Sequence, residues 1–162
     1  MSSFDRRTLL LSLTALAGCG FTPALAPGGS AEGLRGSILV DAPSDRQTFL
    51  LVQQLEQRLG KPNGASYRLA ADLKVNSRAV GRDPDYNTTR RQLTGSLTYK
   101  LFAMGSDTQV ASGKVSSFVG YGATGNTVVT QSAESGARDR LMVILADQLV
   151  TRLIATAPDW RA

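Results

Sequence analysis

Histidine is absent from the 162 residues of this chain, and cysteine occurs once, at position 19. The commonest general base and metal ligand is therefore missing, and so are the Ser-His-Asp and Cys-His nucleophile arrangements. A single thiol can form neither an intrachain disulfide nor a thiolate zinc site. We therefore expect no metal, no cofactor and no enzymatic activity, although a hydrolase with a Ser/Lys or carboxylate mechanism stays compatible with this composition.

The first apolar run, over residues 8–17, is too short to cross a membrane. A spanning helix needs roughly 20 apolar residues, whereas a secretory signal needs about 7–15 after a positive segment. Arg6 and Arg7 supply that segment, and Leu-Ala-Gly directly precedes Cys19. This pattern predicts a lipoprotein signal peptide over residues 1–18 and an acylated Cys19 at the start of the mature chain.

The residues after Cys19 help to predict the membrane in which the protein is anchored. Gly20 stands where an aspartate would favour retention in the inner membrane, so we expect a lipid anchor on the periplasmic side of the outer membrane. The Arg-Arg pair leaves export by the Sec or the twin-arginine route open. Residues 19–36 are rich in Pro, Gly and Ala, which predicts a lipidated flexible tether.

The rest of the chain predicts a single α+β domain over residues 37–157 and a C-terminal tail over 158–162. The expected elements are a strand over 37–40, a helix from Ser44 or Asp45 to Leu59, strands over 67–79, 90–103 and 109–121, and a helix from Gln131 or Ser132 to Thr156. The order β-α-β-β-β-α favours a four-stranded antiparallel or mixed sheet with both helices packed on one face.

The side-chain periodicity of these elements predicts which residues form the core. In the three long strands the apolar residues occupy odd positions, and in the helices they recur at three- or four-residue spacing. The predicted core positions of the helices are Phe49, Val52, Leu55, Leu59, Leu141, Leu145, Leu149 and Leu153. A lipid-binding or coiled-coil use is the alternative for the leucines of the last helix.

The even positions of the strands then form a basic outer face. They carry six cations and one acid, Asp72; the cations are Arg68, Lys74, Arg78, Arg90, Lys100 and Lys114. Such a face is either a solvated surface or a site for a polyanion, since oriented Arg and Lys groups pair well with phosphates. Aromatic residues make up only 6% of the chain, and it is predicted to be exported, so we do not expect nucleic acid as the partner.

The turn between the first two long strands sharpens this hypothesis. Residues 79–89 are predicted to form a hairpin, and Asp83-Pro84-Asp85 within it is typical of a turn. Antiparallel pairing should then bring Arg78 and Arg90 together at one end of the sheet, where clustered phosphates would bind. Lys74 and Lys100 would extend the patch.

The sequence resembles the LptE family of lipopolysaccharide-assembly lipoproteins in its alphaproteobacterial form. The resemblance rests on Leu-Ala-Gly-Cys-Gly-Phe-Thr-Pro at residues 16–23, on the helix over 49–59, on the strand pair over 67–75 and 93–101, and on the terminal helix. It implies a non-enzymatic protein that plugs an LptD-type outer-membrane barrel, helps it to assemble and contacts lipopolysaccharide. The alternative is an envelope lipoprotein that acts as an anchor or scaffold without a lipid ligand.

Overall fold

The computed structural model describes residues 23–29, 31–124 and 126–161. The predicted signal peptide and Cys19 lie outside the described residues. The elements are β1 (Ile38–Val40), α1 (Arg46–Leu59), β2 (Tyr67–Arg82), β3 (Thr88–Ala103), β4 (Gln109–Gly122), α2 (Thr127–Ala155) and α3 (Ala157–Trp160). In the part of the chain that the structure covers, no helix is both long and apolar enough to cross a bilayer.

The four strands form one mixed sheet in the order β1-β2-β3-β4. β1 runs parallel to β2 and pairs only with residues 67–69, whereas β2–β3 and β3–β4 are antiparallel along nearly their whole length. This confirms the predicted α+β class and element order. We call the end of the sheet beside β1 the proximal end, and the end with the 83–87 turn the distal end.

Both long helices cover the same face of the sheet. α2 lies on β3 and β4 and packs against α1, and an ion pair between Arg58 and Asp147 links the two helices. Gly95 permits the close approach of α2, because a Cβ at this position would lie 2.8 Å from a methyl carbon of Leu145. Leu97 and Leu145 are both fully buried in one core, so odd positions do face the helices.

Hydrogen bonds at the N-terminus of each long helix define where it begins. The Asp45 carboxylate accepts hydrogen bonds from two backbone N–H groups of the first turn of α1, which confirms one of the two predicted caps. Phe49, predicted as core, is instead 57% exposed, and Leu51 occupies the buried position. α2 begins at Thr127, four residues before the earlier of the two predicted starts, because the Asn126 side chain caps it.

The segments on either side of the predicted domain pack against it. Leu34 and Ala31 are fully buried, so the described part of the predicted flexible tether, residues 23–29 and 31–36, belongs to the domain. The predicted tail is also wrong, because α3 buries Trp160, whose indole meets the Tyr67 ring edge to face with centroids 5.0 Å apart. Burial of these apolar side chains holds both segments in place.

Candidate functional site

The face of the sheet opposite the helices carries all six predicted cations. The register aligns even positions of the three long strands across this outer face. Its central rows are mostly polar, with Ala70 and Phe118 as the apolar members; they are Asn76–Thr94–Phe118, Lys74–Ser96–Ser116, Asp72–Thr98–Lys114 and Ala70–Lys100–Ser112. The positively charged side chains are therefore distributed along the whole length of the face, and the side chains that they contact differ between its two ends.

Arg68, at the proximal end, is engaged within the protein. Its guanidinium lies 3.1 Å from an Asp41 carboxylate oxygen and 3.6 Å from one of Asp107. It also stacks over the Phe102 ring, with its central carbon 4.7 Å from the ring centroid. Two carboxylates balance its charge, so Arg68 offers the least free positive charge of the six.

The lysines of the middle rows are exposed. Lys74 lies 3.8 Å from the Asp72 carboxylate, a loose surface pair. Lys100 and Lys114 make no ion pair with any described residue. These two lysines leave a diffuse positive charge on the proximal half of the face.

Arg78 and Arg90 lie together at the distal end. Arg78 donates two hydrogen bonds, of 3.0 and 2.8 Å, to the amide oxygen of Gln92, its partner across the strands. Arg90 precedes Gln92 by two residues on β3 and lies on the same face, so it is a diagonal neighbour of Arg78 across the two strands. Diagonal cross-strand neighbours are about 7–8 Å apart. Neither arginine has a carboxylate partner among the residues described.

A cleft opens beside these arginines, with a volume of about 780 Å³. It is lined by Val80, Gly81, Thr89, Arg90, Gln92, Phe118, Gly120, Tyr121 and Gly122. Phe118 is 65% exposed and Val80 is 47% exposed. We call this feature the distal cleft; it combines two exposed apolar side chains, glycine backbone, the polar side chains of Thr89 and Gln92, and a guanidinium with no carboxylate partner among the described residues.

The sequence argument missed both apolar side chains of the distal cleft. Phe118 occupies an even position of β4 and could have been found by the same alternation that placed the cations. Val80 lies where the β2–β3 register shifts, between Ala79 and Arg82, and an irregularity of this kind is not visible in the alternation.

The turn that closes the distal end is shorter than predicted. β2 continues to Arg82 and β3 begins at Thr88, so the loop is 83–87. The Asp83 carboxylate accepts hydrogen bonds from the backbone and side-chain nitrogens of Asn87, at 2.8 and 3.2 Å, as expected for a turn residue. Tyr86 lies at the tip with a φ of 62° and is 80% exposed.

On the helix side, a hydrogen-bonded cluster fastens the distal end. The Glu134 carboxylate accepts hydrogen bonds from the Arg138 guanidinium, the shorter being 2.5 Å, and from the Tyr121 hydroxyl at 3.1 Å. The hydrogen bond from Arg138, followed by that from Tyr121, holds the pKa of Glu134 below its usual value despite partial burial. This cluster joins α2 to β4, and it lies on the opposite side of the sheet from the basic face.

Comparison with known proteins identifies the family. A model of the lipopolysaccharide-assembly family LptE matches residues 37–153. The chain belongs to the LptE family. No curated protein sequence matches it.

Solved structures show the same fold in other bacterial lipoproteins. A candidate lipoprotein from Caulobacter crescentus matches with a TM-score of 0.63 at 25% identity, over 80% of this chain and 96% of its own. Rare lipoprotein B from Shewanella oneidensis matches with a TM-score of 0.60 at 12% identity, over 78% of this chain and 98% of its own. A minor lipoprotein from Acinetobacter baumannii matches with a TM-score of 0.53 at 16% identity, over 74% of this chain and 89% of its own. The LptE-family chain therefore has the fold of envelope lipoproteins.

Proposed function

We propose that this LptE-family chain is an outer-membrane lipoprotein that plugs an LptD-type barrel, helps it to assemble and contacts lipopolysaccharide during export to the cell surface. The observation that carries the proposal is the family match over residues 37–153. The role is one of binding and assembly, without catalysis or a cofactor.

Attachment to the membrane is assigned to Cys19. Each buried acyl methylene contributes about 0.8 kcal/mol, so two or more chains would hold the protein stably at the membrane. Metabolic labelling with a palmitate analogue should mark the parent protein and leave the Cys19→Ala variant unmarked. Label that persists in the variant would show that another residue is modified.

The surface of the domain is compatible with a position inside a barrel. Outer-membrane barrels have polar interiors, so a plug needs a core of its own and a polar exterior. The described residues bury a single hydrophobic core, and apart from Ala70 and Phe118 the middle rows of the outer face carry Ser, Thr, Asn, Asp and Lys. Contact with the barrel can therefore be made without exposing the core.

Contact with lipopolysaccharide is assigned to the basic outer face. Guanidinium groups pair with phosphates through two parallel hydrogen bonds, and Arg78 and Arg90 are two arginines on this face without a carboxylate partner in the described part of the chain. Lys74, Lys100 and Lys114 add charge further along, whereas Arg68 is largely neutralised by Asp41 and Asp107.

Affinity purification from detergent-solubilised outer membrane tests the proposal. The full chain, with a tag after Ala162, should recover an outer-membrane barrel protein together with lipopolysaccharide, as measured by mass spectrometry. The Leu145→Ala variant, which weakens the core, should recover less of the barrel and provides the control for folding. Recovery of the folded lipoprotein with neither the barrel nor lipopolysaccharide would favour the anchor or scaffold role instead.

A further inference from the structure

We propose that the distal cleft holds an acyl chain of lipopolysaccharide while Arg78 and Arg90 hold a phosphate of the same molecule at its rim. This inference rests on the proposed function and specifies where the apolar part of the ligand lies.

The apolar part of the lining of the distal cleft supports an acyl chain. Phe118 and Val80 are large apolar side chains exposed on an otherwise polar face. Gly120 and Gly122, which follow Phe118 along β4, present bare backbone to the cleft, which leaves room for a ligand. The volume of about 780 Å³ lies within the range of about 300–1,000 Å³ found for small-molecule sites. An alkyl chain lying in this open cleft against Phe118 and Val80 would be favoured, because the contact removes apolar surface of both partners from water.

A second groove extends this surface around the end of β4. Its volume is about 660 Å³, and it shares residues 120–122 with the distal cleft. Val128, Val129 and Ala133 of α2 line its far side, and the first two are mostly exposed. A lipid with several chains can therefore place one chain on each side of the shared glycines, whereas a single-chain ligand would leave one groove open to water.

The charge of the two grooves selects for an anion. Arg90 lines the first groove and Arg140 the second, and no acidic residue lines either of them in the part of the chain that the structure describes. The hydrogen bonds to Gln92 orient the Arg78 guanidinium beside the first groove. An acyl chain in the cleft would therefore leave an attached phosphate next to two guanidinium groups that have no carboxylate partner.

One glycine of the cleft allows its volume to be changed without straining the fold. A Cβ at Gly120 would meet only the Arg91 carbonyl oxygen within 4 Å, at 3.9 Å, which is ordinary contact. Gly120→Leu should therefore fill the cleft while β4 keeps its pairing. Ser112→Leu adds a leucine to the same face of the same strand at a position outside the cleft and is the matched control.

Photo-cross-linking in living cells tests the inference on the full chain. With p-benzoylphenylalanine in place of Phe118, irradiation should produce an adduct that an antibody against lipopolysaccharide detects; in place of Thr98, in the middle of the face, the yield should be much lower. Adding Gly120→Leu should reduce the adduct at position 118 about tenfold, the factor lost with contacts equivalent to about two buried methylenes. Adding Ser112→Leu should leave the yield unchanged.

Three results would overturn the inference. They are an adduct at position 118 with a polypeptide, an adduct with a phospholipid instead of lipopolysaccharide, and a lipopolysaccharide adduct that Gly120→Leu does not reduce. If the barrel and lipopolysaccharide still co-purify with the parent chain, such a result removes only the acyl site. Loss of both from the purification would remove the proposed function itself.

Discussion

The two ends of the sheet carry the same pair of residue types in opposite states. At the proximal end, Arg68 lies over Phe102 and two carboxylates balance its charge. At the distal end, Arg90 lies in a cleft with Phe118, whose ring is mostly exposed, and has no carboxylate partner among the described residues. The arginine and the phenylalanine therefore contact each other and nearby carboxylates at the proximal end, whereas at the distal end both side chains are exposed to solvent.

The cause of the difference is the number of elements that cover each end. β1, the segment around Leu34 and α3 all pack at the proximal end, where Trp160 meets Tyr67. Beyond residue 69, β2 has a described strand partner on one side only, and the first turn of α2 leaves Val128 and Val129 exposed. The proximal end is therefore covered by more of the described elements, and the distal end leaves more side-chain surface exposed to solvent.

The largest expected difference is between an aromatic residue at each end. Trp160→Ala should lower the free energy of unfolding by about 3–5 kcal/mol, because the indole is buried against Tyr67. Phe118→Ala should change it by at most about 0.5 kcal/mol, because the ring packs on little. Thermal melts of the purified full chain measure both. A distal variant as unstable as the proximal one would refute the division between the two ends.

The next prediction concerns the core between the two ends. Leu145→Ala should cost about 2–5 kcal/mol, because the side chain is fully buried where α2 approaches Gly95. Leu97→Ala should cost a similar amount for the same reason. Val143→Ala, on the exposed side of the same helix, should stay within about 0.5 kcal/mol of the parent. Equal melting of the Leu145 and Val143 variants would show that α2 packs in a different rotation.

Strand alternation predicted the sheet well because it is a local signal. It placed Leu97 in the core and the six cations on the outer face, and only adjacent residues are needed to detect it. β1 has three residues, too few for a periodic pattern, so its parallel pairing came from the structure. In α1, a spacing of three residues leads from Phe49 to Leu55, and a spacing of four leads from Leu51 to Leu55 and Leu59. The sequence prediction follows the first pattern, whereas the buried residues follow the second.

The candidate site was less predictable, because the partners of its charges are distant in sequence. Asp41 is 27 residues from Arg68, and no spacing rule connects them. The bulge that brings Val80 into the cleft interrupts the alternation on which the prediction depended. Long-range pairing therefore decides which of the predicted cations remain free to bind.

Charge reversal in each half of the outer face tests whether the two halves differ in binding. The double variant Arg78→Glu with Arg90→Glu should weaken lipopolysaccharide binding by the full chain about tenfold or more, since paired guanidiniums hold phosphates best. Lys100→Glu with Lys114→Glu makes the same change in net charge and should have a smaller effect, because exposed ammonium groups act as screened point charges.

Binding measured in nonionic detergent at about 0.1 and 1 M salt separates these effects, because the screening length falls from about 10 to 3 Å. Melting temperatures close to that of the parent would show that both variants are folded, since none of the four residues is buried. Equal losses of affinity in the two double variants would mean that the whole face acts as one diffuse charge, and the distinction between its ends would not apply to binding.

The smallest expected effect tests how the distal end is fastened from the helix side. The folded state lowers the pKa of Glu134 below its usual value, so its carboxylate stabilises the fold above the unfolded-state pKa and loses this contribution as the pH falls through the folded-state pKa. Glu134→Gln removes the charge that faces Arg138 and should cost about 1 kcal/mol or less at pH 7, because the side chain is partly exposed. That cost corresponds to a melting temperature about 2–4 °C lower. The difference between parent and variant should shrink at pH 3, and Asp139→Asn, at an exposed neighbouring position, provides the control. A difference that is the same at pH 7 and pH 3 would mean that the hydrogen bond from Tyr121, which the glutamine can still accept, fastens α2 to β4 without help from the charge.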